Sequence, residues 1–545
     1  MRRQILTIAE LFVLILAATG MLSGHPKIAK DLDKVPAGAT VDVIIQFKQT
    51  AAANHHQKIH DMGGRHKHDL SLIRASHYAV PAAALASLAD DPDVEFISPD
   101  REVRGSMDTA RAAVGADIAF SSGWTGNNIG IAVIDSGLYT DWTDLKPRVV
   151  YTQDMGTSDN NPNDFWGHGT HVAGIIAGNG TNKAAYRGIA PKAKLISLKA
   201  LDQRGVGTDS TVIAAIQKAI SLKSKYNIRV MNLSLGRPVT GSYTTDPLCQ
   251  AVEQAWKAGI VVVVAAGNEG RNNSMGTEGY GTITAPGNDP YVITVGAMRT
   301  MATPSRADDV MATYSSKGPT MIDHVVKPDL VAPGNRVVSM DATTSYLWVN
   351  YPANRITNDG CGQCYIVLSG TSMAAPMVSG AAALLLEKNP KMTPDQVKAV
   401  LMKTAYKTFP SYSTGTDPVS GQTYSSYYDI FTVGAGYLDI SAALNNKDSL
   451  TGTALSPAAA RNATDGTVSL ILGNGMTWGT GMVWGTSLVW GTNAVSGTGL
   501  VWGTGLVWGA GGTLQGTSLV WGTGMVWGAG QVQGETVALT INGEN

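Results

Sequence analysis

Three residues of the sequence, Asp135, His168 and Ser372, have side chains that together could carry out nucleophilic catalysis. A serine hydroxyl is a weak nucleophile until a neighbouring base takes its proton, and histidine is the commonest such base. A carboxylate bound to the other imidazole nitrogen would orient the ring and stabilise its charged form. A lone serine before a helix is more often only an N-cap, so the three residues must be considered together.

Each of these residues lies where the pattern predicts the end of a regular element. Asp135 follows the apolar run 129–134, which predicts a buried strand, and His168 has a glycine on each side. Ser372 begins a run of small and apolar residues that extends to Leu386 and predicts a buried helix. Unpaired N–H groups and the positive end of the dipole at a helix N-terminus can stabilise an oxyanion beside the serine.

The order Asp, His, Ser and the local motifs resemble those of the subtilisin-type serine proteases (subtilases). The motifs are Val-Ile-Asp-Ser-Gly around Asp135, Gly-His-Gly-Thr-His around His168 and Gly-Thr-Ser-Met-Ala around Ser372. The resemblance runs from about Asp117 to Leu444. It implies a hydrolase of peptide bonds in which Ser372 is the nucleophile, His168 the base and Asp135 its partner.

Two further residues, Asn268 and His171, bear on this assignment. Asn268, in Ala-Ala-Gly-Asn-Glu-Gly, matches the family's oxyanion asparagine, with the backbone N–H of Ser372 as the second donor. A simple turn is the alternative, since Gly-Asn commonly forms one. His171 lies one helical turn after His168 and is a rival base, although the family pattern gives the role to the first histidine. A metal site of paired histidines is disfavoured, because the glutamate of an HExxH helix is absent.

The resemblance also assigns residues to substrate binding. Ser234-Leu235-Gly236 and Gly205-Val206-Gly207 match the two segments between which subtilases hold an extended peptide. Binding of this kind is strand addition, which makes little demand on the substrate's sequence. Ala265-Ala266-Gly267 match the lining of the first specificity pocket, with Thr284 at its base. The preference of this pocket stays open, with apolar side chains as the default expectation.

Two features concern stability rather than chemistry. Asp144 matches an aspartate that often binds calcium in this family, with Asn179 and Asn182 in the partner loop, so a structural calcium ion and a plain surface carboxylate both stay open. No cofactor is expected for the reaction itself. Cys361 and Cys364 could form a local disulfide in an exported protein, and Cys249 is expected to be a buried free thiol.

The beginning of the chain predicts export. Arg2 and Arg3 precede the apolar run 11–18 and then small residues, which is the layout of a secretory signal peptide. That run is too short to span a bilayer. With 41 Lys+Arg against 42 Asp+Glu, the net charge of −1 gives no indication of a nucleic-acid partner.

The sequence predicts an α/β fold for the catalytic part, with a parallel sheet covered by helices on both faces. Apolar strands at 129–134, 195–198, 230–233, 260–265 and 292–295 alternate with helices at 209–222 and 249–258. In such sheets ligands bind beyond the carboxyl ends of the strands, where Asp135 falls.

A small α+β unit is expected before the catalytic part, with strands at 41–47, 78–80 and 94–97 and helices at 50–62 and 81–88. Its position resembles that of the inhibitory prodomain of subtilases, which would assist folding and then be cut off, here between Val103 and Asp108; a retained accessory domain is the alternative. Six of the ten histidines cluster within this unit between residues 55 and 77, at positions 55, 56, 60, 66, 68 and 77. We hypothesise that their protonation loosens the prodomain in mild acid, against the alternative of solvated surface histidines.

The C-terminal region carries a hexapeptide repeat with the core Leu-Val-Trp-Gly-Thr and no charged residue from Gly466 to Gly534. Its even period predicts stacked coils or a small sheet, and a sticky disordered tail is the competing interpretation. The expected organisation is a signal peptide at 1–24, a prodomain at 25–106, a catalytic domain at 107–446, a linker at 447–465 and a repeat tail at 466–545.

Together these observations predict a secreted serine endopeptidase, extracellular or at the cell surface, that is made as a self-processing precursor. Its partners would be protein or peptide substrates and its own prodomain, with surface attachment or self-association through the tail. The alternative is an adhesive protein whose repeats carry the function and whose protease core only processes itself.

Overall fold

The computed structural model describes residues 25–29, 32, 35–36, 38–70, 74–99, 106–356, 364–448, 452–461, 468–471 and 541–544, and five residue pairs between 488 and 533. The chain forms two compact units, which divide between Val103 and Arg104. The predicted signal peptide, residues 103–105 of the predicted cleavage segment and most of the repeats lie outside the described residues.

The first unit contains a four-stranded antiparallel sheet in the order β2, β3, β1, β4. Its elements are β1 (Thr40–Phe47), α1 (Ala53–Asp61), β2 (Arg65–Leu70), β3 (Ala75–Pro81), α2 (Leu85–Ala89) and β4 (Val94–Pro99). Apolar side chains of β1 and β3, such as Val43, Ile45 and Tyr78, form its own buried core. The sequence did not predict β2, an edge strand of the sheet.

The second unit is built around an eight-stranded sheet whose strands are parallel except for β12. The strands are β5 (Gly130–Asp135), β6 (Val149–Asp154), β7 (Lys194–Lys199), β9 (Ile228–Leu233), β10 (Val261–Ala265), β11 (Ile293–Arg299), β12 (Val310–Met311) and β13 (Leu330–Pro333), while the short β8 (Val206–Gly207) lies apart. All residues of β5 and β10 are buried. Their continuous apolar character reflects a sheet covered on both faces.

Strand order creates a crevice at the carboxyl ends of the central strands. The order is β12, β11, β10, β9, β5, β7, β6, with β13 also paired to β11. The chain therefore moves to one side of β5 for β6 and β7, and to the other side for β9 and β10. Ligand sites of open parallel sheets lie where the chain changes sides, and Asp135 ends β5 at this point.

Helices cover the sheet in two groups. They are α3 (Ser106–Ala113), α4 (Ala116–Ser121), α5 (His168–Ala177), α6 (Asp209–Tyr226), α7 (Pro247–Lys257), α8 (Tyr346–Asn350), α9 (Thr371–Lys388), α10 (Pro394–Thr404) and α11 (Ile440–Asn445). Helix α5 packs on α9, and α6 packs on α7, while strand β9 contacts both α9 and α6. This arrangement confirms the predicted α/β class.

The long connection before Ser372 folds into a small antiparallel sheet of its own. It consists of β14 (Val337–Asp341), β15 (Arg355–Ile356) and β16 (Cys364–Leu368), with β16 in the middle. A separate hairpin follows α10, made of β17 (Tyr412–Thr416) and β18 (Thr423–Tyr427). The position of Cys361 lies outside the described residues, so the disulfide with Cys364 stays a prediction.

The described part of the segment interpreted as a linker packs on the second unit. Ser456 is 4% exposed, and its hydroxyl donates to Asp329 Oδ1 at 2.5 Å. Strands β19 (Ala458–Arg461) and β20 (Val468–Ile471) pair in a hairpin. Within the repeats, Leu488–Val489 (β21) pairs in parallel with Leu506–Val507 (β23), and Val495–Ser496 (β22) with Leu514–Gln515 (β24). The wider organisation of the repeats stays a prediction.

Among the described residues, no helix has both the length and the apolar character needed to cross a membrane.

Candidate active site

The carboxylate of Asp135 lies at the carboxyl end of the central strand β5 and is 1% exposed. Its Oδ1 accepts hydrogen bonds from the backbone N–H of Ser136 and from Nδ1 of His168, both at 2.7 Å. An ionised carboxylate can only accept, so Nδ1 carries the proton and Nε2 is the basic nitrogen.

The backbone around His168 is fixed by the buried Asp164. One carboxylate oxygen accepts from the N–H of Gly167 and the other from the N–H of Thr170, both at 2.7 Å. These bonds satisfy two donors at the start of α5, as a capping side chain does. Gly167 has φ of +107°, and a Cβ there would lie 2.5 Å from Oδ1 of Asp341. Both the backbone conformation and the available space therefore require glycine before the histidine.

His171 is held in a different environment. Its Nε2 lies 3.1 Å from the carbonyl oxygen of Val337 and 3.2 Å from that of Ile366, so this nitrogen donates to the backbone. Complete burial, with a smaller contribution from His168, lowers the pKa of His171 to about 3. The ring is therefore neutral and ties α5 to β14 and β16, which removes it as the rival base.

Ser372 is the second residue of α9 and is fully buried where α9 packs against α5. Its hydroxyl donates to the carbonyl oxygen of Ser234 at 3.1 Å. Gly370, before the helix, has φ of 145°, a conformation that side chains rarely adopt. The turn therefore needs this glycine to present Ser372 at the helix N-terminus.

A chain of buried polar groups supports the turn that carries Ser372. Pro376 lies beyond the first turn of α9 and so leaves the carbonyl of Ser372 without its helical donor. The hydroxyl of Ser234 donates to that carbonyl at 2.8 Å. Asn232 donates to Ser234 at 2.9 Å and accepts from Ser379 at 2.8 Å. Strand β9 and helix α9 are thereby joined directly beneath Ser372.

Asn268 lies next to the N-terminus of α9. Its Oδ1 accepts from the backbone N–H of Thr371 at 3.0 Å, which fixes the orientation of the amide. Its Nδ2 is buried and has no hydrogen-bond partner among the described residues. A buried donor without an acceptor is costly, so such a group commonly indicates a ligand or a catalytic role.

The two predicted substrate segments lie at the carboxyl edge of the sheet. Val206 and Gly207 form β8, and Ser234-Leu235-Gly236 follows β9 directly. Strand β8 pairs antiparallel with the short strand Val532–Gln533 (β25) from the C-terminal region. The edge of Val206-Gly207 therefore pairs with an extended segment of this chain, while its role in binding substrate stays a prediction.

Small residues shape the predicted pocket beside these edges. A Cβ on Gly236 would lie 2.4 Å from Oγ1 of Thr284, and a Cβ on Gly267 would lie 2.8 Å from Cγ2 of the same residue. Thr284 donates to the carbonyl oxygen of Ala266 at 3.3 Å. Thr284 thus lies between the segment after β9 and the segment Ala265-Ala266-Gly267 at the end of β10, while its place at the base of a pocket stays a prediction.

Comparison with known proteins agrees with this geometry. The profile of the Subtilase family matches residues 126–475. The serine protease AprX of Bacillus subtilis is 38% identical over 333 residues, covering 59% of this chain and 71% of AprX. Subtilisin E of the same organism is 35% identical over 370 residues, covering 66% and 84%. The alkaline protease of Alkalihalobacillus alcalophilus is 32% identical over 344 residues, covering 62% and 76%.

The chain belongs to the subtilase family. It is a serine endopeptidase with the α/β fold of that family.

In this subtilase the residues around Asp144 do not fit a calcium site. Calcium requires six to eight oxygen ligands. Here Oδ1 of the buried Asp144 accepts from the N–H of Asn182 at 3.1 Å, and Oδ2 accepts from the hydroxyl of Tyr365 at 3.2 Å. Burial raises the pKa of Asp144. Both oxygens of the Asp144 carboxylate are thus bound to donors of the chain itself.

The thiol of Cys249 is buried and free, as predicted. It donates to Oδ1 of Asn288 at 3.3 Å, and burial raises its pKa above the usual range. Cys249 is therefore an inert packing residue of α7.

Sequence reasoning missed the residues that orient the Asp135–His168 pair. The hydroxyl of Ser136 donates to Oδ1 of Asp164 and accepts from the N–H of Gly169, both at 2.9 Å. Ser136 thereby links the end of β5 to the start of α5. Asp164, four residues before His168, could have been found as a capping carboxylate. Asp341 is fully buried beside Gly167, and burial followed by the charge of Asp164 raises its pKa well above the usual range. Asp341 lies in the long connection before Ser372, where no sequence motif identified it.

Proposed function

We propose that this subtilase hydrolyses peptide bonds within protein chains through a triad of Asp135, His168 and Ser372. The observation that carries the proposal is the buried 2.7 Å bond between Oδ1 of Asp135 and Nδ1 of His168. It leaves the basic Nε2 of the ring for the proton of a nucleophile. The serine at the start of the neighbouring helix is that nucleophile.

The reaction begins when Ser372 Oγ attacks the carbonyl carbon of the scissile bond and His168 takes the hydroxyl proton. Asp135 stabilises the imidazolium that forms. His168 then gives the proton to the leaving amine, and the acyl group stays on Ser372. Water, deprotonated by His168, releases the acid in a second attack. No cofactor takes part in these steps.

The negative charge of each tetrahedral intermediate is stabilised by two donors. The amide N–H of Asn268, which lacks an acceptor among the described residues, is one, and the backbone N–H of Ser372 is the other. The bond from Thr371 to Oδ1 holds the amide in place before the substrate arrives. Preorganised donors are effective because they do not need to reorient as the charge develops.

The substrate binds as an extended strand between Gly205-Val206-Gly207 and Ser234-Leu235-Gly236. Support comes from the antiparallel pairing of β8 with Val532–Gln533. The side chain before the scissile bond enters the pocket formed by Ala265-Ala266-Gly267, Gly236 and Thr284. Because the lining is small and carries no charged group, apolar side chains are preferred.

The enzyme is made as an exported precursor that processes itself. The first unit, residues 25–99 where it is described, has its own core, as expected of a prodomain that assists folding and inhibits. No observation on the described residues favours the alternative, a purely adhesive protein.

The proposal is tested with the full-length protein, a denatured protein substrate and two serine variants. Ser372→Ala should lose both substrate cleavage and self-processing. Ser197→Ala removes another fully buried hydroxyl, on strand β7, and should retain both. Cleavage by Ser372→Ala at the unmodified protein's rate would refute the assignment.

A further inference from the structure

The end of the chain is bound within the catalytic unit. Residues Ile541 to Glu544 are described, and Glu544 is 1% exposed although it is a charged residue near the C-terminus. A carboxylate is buried at such cost only when cations and donors replace its water. The groups around Glu544 therefore form a binding site and not a chance contact.

The carboxylate of Glu544 is bound by three donors and a nearby second arginine. Nη2 of Arg271 donates to Oε2 at 2.7 Å, and the N–H of Thr313 donates to Oε1 at 3.0 Å. The hydroxyl of Thr313 also donates to Oε2 at 2.5 Å. Nη1 of Arg299 lies 3.8 Å from Oε1. Charge-assisted bonds of this kind are about twice as strong as neutral ones.

The backbone of the segment is recognised as well. Asn335 donates from Nδ2 to the carbonyl of Glu544 and accepts from its N–H, both at 2.9 Å. These two bonds to the backbone of Glu544 are of the kind that a neighbouring β-strand would make. Asn354 donates to the carbonyl oxygen of Ile541. A Cβ on Gly543 would lie 2.4 Å from Oγ of Ser369, so only glycine allows the segment this close.

The β17–β18 hairpin forms another side of the site that holds the Glu544 carboxylate. A Cβ on Gly415 would lie 2.6 Å from Oε1 of Glu544. Arg271 also pairs with Asp417 of this hairpin at 3.1 Å, and its guanidinium lies 4.9 Å from the ring centroid of Tyr424. Arg271 is thus shared between the hairpin and the C-terminal segment, and losing Glu544 leaves it only one of its two carboxylates.

The same residues hold the loops on which the oxyanion site depends. Arg271 lies three residues after Asn268, in a segment fixed by the bond from Gly270 N–H to the carbonyl oxygen of Tyr314 at 2.8 Å. Asn335 follows Gly334, whose carbonyl accepts from the N–H of Gly370 at 2.8 Å. The C-terminal segment therefore contacts the loops that carry both proposed oxyanion donors.

We propose that Arg271, Arg299, Thr313 and Asn335 form a binding site for a glutamate-bearing peptide, and that its ligand is the chain's own segment Ile541–Glu544. Occupation of the site fixes the loop Asn268–Arg271, and hence Asn268, for oxyanion binding. The second statement rests on the proposed function, whereas the first does not. The C-terminal region is thereby a ligand of the enzyme and not only an appendage.

Binding is tested on a protein without activity, so that failure of the proposed function cannot affect the result. Full-length Ser372→Ala carrying Glu544→Lys places a cation against Arg271 and should vacate the site. A fluorescent synthetic peptide of residues 540–545 should bind this variant saturably, and at least about tenfold more weakly to Ser372→Ala alone, whose site is occupied. The same peptide with glutamine at position 544 should also bind at least about tenfold more weakly. Equal binding of the unmodified peptide to the proteins with and without Glu544→Lys, or no binding to either, would contradict the proposed site.

Hydrogen exchange covers the case in which the lysine variant folds poorly. The milder Glu544→Gln in the Ser372→Ala background should speed amide exchange in residues 267–271 and leave helix α6 unchanged. Unchanged exchange in residues 267–271 would contradict a contact that orders this loop.

Kinetics then separate positioning from substrate binding. In the active full-length protein, Glu544→Gln should lower kcat about tenfold with little change in KM, because the loss falls on the charged intermediate. Asp448→Asn removes one exposed carboxylate, paired with Lys403, and should leave both constants unchanged. An added peptide of residues 540–545 should restore the kcat of Glu544→Lys. A change in KM alone, or a kcat equal to that of the unmodified protein, would refute the positioning role.

Discussion

Both units of this subtilase contain a histidine beside an aspartate, and the two pairs differ mainly in burial. His168 and Asp135 are 2.7 Å apart with side chains 2% and 1% exposed. His66 and Asp69 are 2.9 Å apart with side chains 35% and 57% exposed. Water screens the second pair, so it contributes about 0–1 kcal/mol, while the first interacts in a medium of low dielectric. Nearly equal geometry therefore has different consequences, and burial decides which pair can control a proton.

The largest effect is expected at the buried pair. His168→Ala should lower kcat by about 10⁶, the order found when the corresponding histidine of subtilisin is removed. His171→Gln, one turn away, should keep kcat within about tenfold and lower the free energy of unfolding by about 1–3 kcal/mol, since it loses bonds to two carbonyls. Steady-state kinetics and urea unfolding measure the two effects. Equal losses of kcat in both variants would remove the distinction between the two histidines.

A smaller effect is expected at Asn268, the proposed oxyanion donor. Asn268→Ala should lower kcat by about 10²–10³, the range known for the oxyanion asparagine of subtilisin, and leave KM nearly unchanged. Asn288→Ala, which removes an amide bound to Cys249, is the matched control and should retain kcat. An unchanged kcat in Asn268→Ala would exclude it from the oxyanion site.

A buried carboxyl group that has no salt-bridge partner in the described part of the chain should make stability depend on pH. Asp309 is 3% exposed and accepts from the hydroxyl of Tyr437 at 2.6 Å, and burial raises its pKa to about 7. The native state then keeps a proton that the unfolded state loses. The contribution of Asp309 to the free energy of unfolding is therefore fully present below a pH of about 4 and is lost as the pH rises to about 7.

Asp309→Asn should remove this part of the pH dependence. Urea unfolding of the Ser372→Ala protein, with and without Asp309→Asn, at pH 5 and pH 8 measures it. The asparagine variant should gain stability relative to its parent at pH 8, and a gain of equal size at both pH values would contradict the raised pKa.

The smallest effect is expected at the histidine–aspartate pairs of the first unit. His55, His56 and His77 each lie within 4 Å of an aspartate carboxylate of the same unit. Protonation there meets a compensating charge, which weakens the hypothesis that accumulated positive charge releases the prodomain. Burial and the charge of His66 lower the pKa of His56, so this ring becomes charged only at lower pH.

The hypothesis is tested by the pH dependence of prodomain release. Glutamine in place of histidine at positions 55, 56, 60, 66, 68 and 77 should remove any acceleration in mild acid that these residues cause. His324→Gln, in the catalytic unit, is the control. The same pH dependence in the sixfold variant and in the unmodified protein would reject the hypothesis.

The sequence predicted those parts of the site whose position follows from regular elements. Apolar strands ending at a polar residue, as at Asp135, indicate a parallel sheet with groups at its carboxyl edge. These signals are local, so a single sequence carries them.

The remaining features depend on contacts between distant segments. Strand β2 reads Arg-His-Lys-His-Asp-Leu and has no apolar alternation, because it lies at the edge of its sheet. Asp341 and Glu544 are single acidic residues whose importance comes from burial against partners far away in the chain. No spacing rule detects such residues, since their partners have no fixed sequence separation.

Labelling of the nucleophile tests the central claim most directly. A fluorophosphonate probe reacts with a serine hydroxyl only when a base activates it. Peptide mapping of the labelled full-length protein should find one probe per active molecule, on Ser372, and no label in His168→Ala. A protein that hydrolyses peptides while its label lies on another serine, or that labels Ser372 equally without His168, would contradict the account.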